Sequence, residues 1–286
     1  MKKMNKIAAL LLVVFTTANV MAQELPQPSP AAKVEQRIGL TDVTVVYSRP
    51  SVKGREIWGG LEKYDEVWRA GANANTLVTF SDDVKVEGKE LEAGTYSFFI
   101  TPTKGDWKIM FNNVTDGWGT GKYDAKNDML ALTAKPEAGV MKESLSYSFE
   151  NLSKTTGNLV FAWEKITLTL KIEVDVDKKA WENVDKALAE ATGEDKATIY
   201  RNAAKHTAST KLRLEEGLKW INESIKIKES WYSYWVKADV QHAAGDNKGA
   251  IASVKKAIEL GESGAKESGK PFGYKERLEA VIADYK

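Results

Sequence analysis

The hydrophobic period of this chain changes once, and that change divides it. From Thr41 to Val176 apolar residues recur at every second position: Val43, Val45 and Tyr47; Tyr96, Phe98 and Ile100; Trp107, Ile109 and Phe111; Leu145, Tyr147 and Phe149; Leu159, Phe161 and Trp163. This is the period of a strand with one buried face. In the longest run, Ile166, Leu168, Leu170, Ile172, Val174 and Val176 alternate with Thr167, Thr169, Lys171, Glu173 and Asp175. From Lys178 onward the spacing is helical and alanine is frequent. A strand buries alternate residues and a helix buries a stripe, so one switch of period predicts two successive units with a very short junction.

Turn signals separate the strand-like runs: Glu87-Gly88, Ala93-Gly94, Lys104-Gly105-Asp106 and Thr156-Gly157-Asn158. Eight or nine short strands with no helix between them predict an antiparallel β-sandwich of jelly-roll type over residues 23–177. Residues 178–286 are then an α-helical domain. Within it, Gly217 to Ile227 aligns with Ala250 to Leu260 at an offset of 33 residues, close to the 34-residue tetratricopeptide period. The second unit resembles that family at Ala238, Gly245-Asp246, Ala250-Ile251, Val254, Ala257-Ile258 and Leu260. It departs from it at Lys237, where leucine is usual, and at Glu262, where the terminal proline is usual.

Residues 1–22 read as a secretory signal. Lys2, Lys3 and Lys6 form a basic start, Ile7 to Phe15 an apolar stretch, and Val20-Met21-Ala22 precedes a cleavage point at Gln23. The apolar stretch is too short to span a bilayer, which takes roughly 20 residues, so no transmembrane segment is expected after cleavage. The expected location is the periplasm or the exterior. The chain has no cysteine, which excludes a lipoprotein anchor, disulfides, thiol nucleophiles and thiolate metal sites. Without the first 22 residues, 38 basic residues face 40 acidic ones. That balance gives no general electrostatic attraction to nucleic acid or anionic lipid.

One stretch concentrates side chains able to recognise a ligand. Between residues 49 and 76 lie Arg49, Arg55 and Arg69, Trp58 and Trp68, and Asn73 and Asn75. Arginine offers a planar fork to carboxylate, phosphate or paired sugar hydroxyls. Tryptophan stacks on sugar rings, and asparagine both donates and accepts. Arg49, Arg55, Trp68, Arg69, Asn73 and Asn75 are therefore candidate binding residues for a carbohydrate or small anionic ligand. Trp118 is a further stacking surface. The competing reading is a corner of the fold, with an arginine paired to Asp82 or Asp83 and the glycines serving turns.

Several motifs in this region, in order and spacing, resemble the domain-of-unknown-function 2911 family: Tyr47 to Arg55, Val67 to Asn73, Thr79 to Val84 and Ala93 to Tyr96. Tyr123, Asp128 through Lys135-Pro136, and Ala162-Trp-Glu164 continue the match, which covers residues 30 to 175; Lys63 departs from it, since proline is common there. The resemblance implies an exported protein of a Gram-negative bacterium, in some members with a tetratricopeptide-like tail. It implies no reaction, cofactor or catalytic residue.

Catalytic arrangements find little material. The two histidines, His206 and His242, both lie in the helical part, so no Ser-His-Asp triad can form within the strands. There is neither an HExxH helix nor a histidine-rich zinc pattern, and no metal or cofactor is expected. Asp116-Gly-Trp-Gly-Thr-Gly121 matches neither a phosphate loop nor an EF-hand. Paired carboxylates among Asp116, Asp124 and Asp128 would leave room for a histidine-independent carbohydrate hydrolase. Loop solvation and turn capping is the plainer use.

The helical part offers a groove. Tyr232, Trp235, Asp239 and His242 are spaced to share one helix face, which in the tetratricopeptide pattern lines the concave side where peptides dock. Trp231 and Tyr234 would fill the repeat core. A further helix covering that face is the alternative. The function expected is a non-catalytic exported binding or scaffold protein, its strands holding a small ligand or wall component and its helices a protein partner.

Overall fold

The computed structural model describes residues 25 to 285; the segment read as a signal lies outside them. An N-terminal antiparallel β region of two sheets is followed by six helices. The first sheet contains β1 (Ala31–Ile38), β2 (Thr41–Ser48), β3 (Leu77–Phe80), β6 (Gly94–Thr101), β7 (Trp107–Asn112) and β8 (Asp128–Ala134), in that spatial order. The second runs β5 (Lys89–Leu91), β4 (Val84–Val86), β10 (Thr156–Val174) and β9 (Glu137–Glu150).

Alternation decides what each strand buries. In β2, Val43, Val45 and Tyr47 point inward while Asp42 stays exposed; in β7, Trp107, Ile109 and Phe111 are buried around the exposed Lys108. Leu145, Tyr147, Phe161, Trp163, Leu170 and Ile172 of the second sheet join them in one apolar cluster. Each fully buried side chain of this size contributes about 1.5–3 kcal/mol. Phe99 and Met110 are buried on the opposite face, where Tyr123 sits edge-on to Phe99 at 4.9 Å. The segment between β7 and β8 thus folds back over the first sheet.

β10 joins two runs that differ in parity. Leu159, Phe161 and Trp163 are odd-numbered, Leu168, Leu170 and Ile172 are even, yet all are buried. A strand turns alternate residues to alternate faces, so an extra residue must be absorbed between the runs. The register with β9 shifts on both sides of Glu164, whose φ is +54°. These two irregularities accompany the change of parity, and both apolar sets stay on the core.

The strand ends at Val174, and Asp175 caps α1 (Val176–Glu190) by accepting from the Lys178 amide at 2.9 Å. The helix begins two residues before the boundary expected at Lys178. Lys178 pairs with Asp83 at 3.1 Å, and Lys179 pairs with Asp82. Both acids proposed as partners for an arginine are thus engaged by α1.

The remaining helices are α2 (Asp195–Thr210), α3 (Leu214–Ile227), α4 (Trp231–Ala243), α5 (Asn247–Ser268) and α6 (Lys275–Asp284). α2 packs on α3, and α4 on α5. Gly217, Ile221 and Ser224 of α3 are buried, and so are Ala250, Val254 and Ala257 of α5, each 33 positions later. Gly217 is required by closeness: an added Cβ would collide with the Thr207 side chain of α2. Among the described residues, no helix is long and apolar enough to cross a membrane.

Candidate functional site

Most of the arginine-tryptophan stretch is consumed by the fold. Trp68 is 4% exposed, donates its indole N–H to the Gly71 carbonyl at 3.0 Å and stacks on Trp163. No ligand can reach its face, which corrects its expected role. Asn75 is likewise buried. With its NH2 turned away from Ser97, it donates to the Gly119 carbonyl at 2.8 Å, and its oxygen accepts from Ser97 Oγ at 2.9 Å; the opposite orientation would set oxygen against carbonyl oxygen. Asn73 donates to the Ser29 carbonyl and to Ser48 Oγ.

The arginines divide. Arg49 Nε donates to the Leu145 carbonyl at 2.9 Å, tying the end of β2 to β9 in the other sheet. Arg55 donates to the carbonyls of Val52 and Ser51, closing its own turn. Arg69 alone makes no hydrogen bond or ion pair among the described residues, and its Nε is buried without a partner. Five of the six residues expected to bind a ligand therefore hold a corner together. The strained turn at Ala70, with φ +52°, belongs to it: the Ala70 carbonyl accepts from Tyr147 Oη at 2.8 Å and from Thr76 Oγ1 at 3.0 Å.

The acids between β7 and β8 are also engaged. Asp116 pairs with Lys122 at 2.6 Å, Asp124 caps the short 3-10 turn Ala125–Asn127, and Asp128 accepts from Asn112 and from Tyr123 Oη, each at 2.8 Å. Two carboxyls facing each other across a cleft, which glycoside hydrolysis requires, are not supplied by these three.

The helices carry an open groove of about 510 Å³. α4 contributes Trp231, Tyr232, Trp235 and Asp239, α2 contributes Lys205, and the start of α6 contributes Tyr274 and Arg277. Trp231 and Trp235 stack at 6.2 Å between ring centres, with Tyr274 4.8 Å from Trp231. The Arg277 guanidinium lies 5.1 Å over Trp235, and Lys205 Nζ donates to Tyr232 Oη at 3.0 Å. Cations held against aromatic faces are positioned while keeping donors free for a ligand.

Asp239 forms part of this wall. Burial pushes its carboxyl above the ordinary aspartate range, an effect partly offset by the Tyr285 hydroxyl, which donates to it at 2.7 Å, and by Lys205. The wall is therefore aromatic, with two cations and one acid.

The expected quartet is split. Tyr232, Trp235 and Asp239 share the groove, whereas His242 does not line it. Tyr285, at the end of α6, stacks on the His242 ring at 4.3 Å, and His242 Nδ1 contacts Asn247 Oδ1 at 2.8 Å. α6 thus covers one end of the face and leaves the other open. Trp231, expected in the repeat core, packs against that core and also lines the groove, since at the first residue of α4 its ring lies against Trp235 and Tyr274. Lys205, Tyr274 and Arg277 carried no signal at the sequence level, since they come from other helices.

Residues 29–172 match the family model described as "Protein of unknown function (DUF2911)". No match was found among curated proteins or among solved structures.

Proposed function

This chain belongs to the DUF2911 family, whose model spans half of it, and from that premise we propose an exported, non-catalytic binding protein whose helical region captures a segment of a partner protein. Family membership supplies a domain and no reaction, so the reading rests on the groove of α4. Four aromatic residues and two cations line one open face there, a composition suited to a peptide bearing both aromatic and acidic side chains. The rings give apolar contact with little loss of side-chain freedom, and Arg277 and Lys205 match carboxylates.

In this reading residues 23–177 form a β-sandwich and residues 178–286 a tetratricopeptide-like domain, supported by the burial that repeats at 33 positions between α3 and α5. Export to the periplasm or beyond follows from the signal-like character of residues 1–22. The protein then acts as a scaffold in or outside the cell envelope.

Selection of a random peptide library on the purified protein tests the reading. Enrichment of acidic-aromatic sequences that is lost in Trp235→Ala and in Arg277→Glu is the expected result. Enrichment indifferent to both substitutions, or none at all, would remove the groove from the account.

A further inference from the structure

We propose that Arg69 and Trp118 form a second binding site, on the β region, for a ring-shaped small molecule that carries a carboxylate or phosphate. It stands apart from the helical groove and does not depend on it.

Arg69 is the exception in its own stretch. Arg49 and Arg55 each donate to backbone carbonyls, whereas no nitrogen of Arg69 finds an acceptor among the described residues, and its Nε is shut away from water. A buried donor left unpaired is costly, and folded proteins keep few of them. The acids that might have paired with it are engaged elsewhere: Asp82 and Asp83 by α1, Asp116 by Lys122. Glu62 lies within electrostatic reach of Arg69 but forms no ion pair with it, and burial pushes its carboxyl up to about 7. The Arg69 guanidinium is therefore left without a paired carboxylate, and its terminal nitrogens have no acceptor among the described residues.

Trp118 is the second exception. It is 71% exposed, although tryptophan is among the more buried residues on average. Its loop is nevertheless fastened down. Asn75 N donates to the Gly117 carbonyl at 3.1 Å, Gly119 N to the Asn73 carbonyl at 3.3 Å, and the Asn75 amide to the Gly119 carbonyl at 2.8 Å. Gly119 has φ +76°, and a Cβ added there would stand 4.0 Å from Arg69 Nη1. The guanidinium thus lies beside the residue that follows Trp118, and both are held by the same corner.

An exposed indole on a fastened loop, one residue from the backbone beside a guanidinium without an acceptor, has a recognisable complement. The indole packs against the C–H face of a sugar-like ring, and the fork takes a pair of anionic oxygens. The corner built by Asn73 and Asn75 thereby acquires a purpose: it positions these two groups in advance, which limits the freedom lost on binding.

Titration of the purified protein with D-glucuronate and with glucose 6-phosphate, using glucose as the neutral control, tests the proposal. Two-dimensional NMR would follow the Trp118 indole N–H, assigned by its loss in Trp118→Ala. Saturable shifts of that signal with either anion and not with glucose, together with at least tenfold weaker binding by calorimetry in Trp118→Ala and in Arg69→Gln, are expected. Trp118→Ala touches no core residue, so it remains informative should Arg69→Gln fold poorly. A response to glucose equal to that of the anions, a response to none of the three, or affinity unchanged in Trp118→Ala would overturn the proposal.

Discussion

Replacing Glu62 with glutamine should stabilise the protein at pH 8 and do almost nothing at pH 4. The Glu62 carboxyl is pushed from 4.5 up to about 7, first by burial, with Arg69 and Arg55 opposing. Below pH 4.5 the group is protonated both folded and unfolded, so it contributes no difference. As pH rises from 4.5 to 7 the unfolded chain releases the proton while the folded chain holds it, and stability is lost across that window. A shift of about 2.5 units at roughly 1.4 kcal/mol each sets a ceiling of about 3.4 kcal/mol. Glu62 is only half-buried, and solvent screening lowers the expected effect to about 2 kcal/mol. Glutamine fills the same space and does not titrate. Urea unfolding of both proteins at pH 4, 6 and 8 should show the variant gaining about 2 kcal/mol over the parent between the extremes. A difference that stays constant with pH would refute the claim that this carboxyl is held neutral by burial.

Three further outcomes follow from particular contacts. Tyr285→Phe removes the hydroxyl that donates to Asp239 and should destabilise the helical region by about 1–2 kcal/mol, since it strips a half-buried carboxyl of its donor; thermal melting followed by helical circular dichroism measures it. Glu164→Gly relieves a left-handed residue at the β10 bulge and should stabilise the protein by roughly 0.5–1 kcal/mol in urea titration, glycine being at ease there. Residues 23–177 expressed alone should fold with a strand-rich circular dichroism spectrum, because their core cluster draws only on the β region and Val176; a disordered spectrum would show that the helices are needed.

The sequence carried the division into strands and helices because hydrophobic period is local. The irregularity at Glu164 was not expected, although the apolar runs on either side of it, ending at Trp163 and beginning at Ile166, differ in parity. β1 was harder to see: as an edge strand it buries only Ile38 fully, so its alternation is faint. Within the groove, Tyr232, Trp235 and Asp239 were legible from their spacing on one helix. Lys205, Tyr274 and Arg277 were not, because tertiary packing alone brings α2 and α6 beside α4. Arg49 and Arg69, alike in the sequence, part for the same reason. The acceptor of Arg49 is a carbonyl 96 residues away. Arg69 has no acidic partner among the described residues, and Asp82 and Asp83, offered as partners for an arginine, pair with α1 instead.

Photo-cross-linking in intact cells that make the protein tests the central claim most directly. A benzophenone amino acid placed at Tyr274, which is 46% exposed at the mouth of the groove, should yield discrete protein adducts that disappear when Trp235→Ala is added. The same probe at Lys219, exposed on α3 outside the groove, should yield none of them. Identical adducts from both positions, or adducts at Tyr274 that survive Trp235→Ala, would contradict a binding role for the groove.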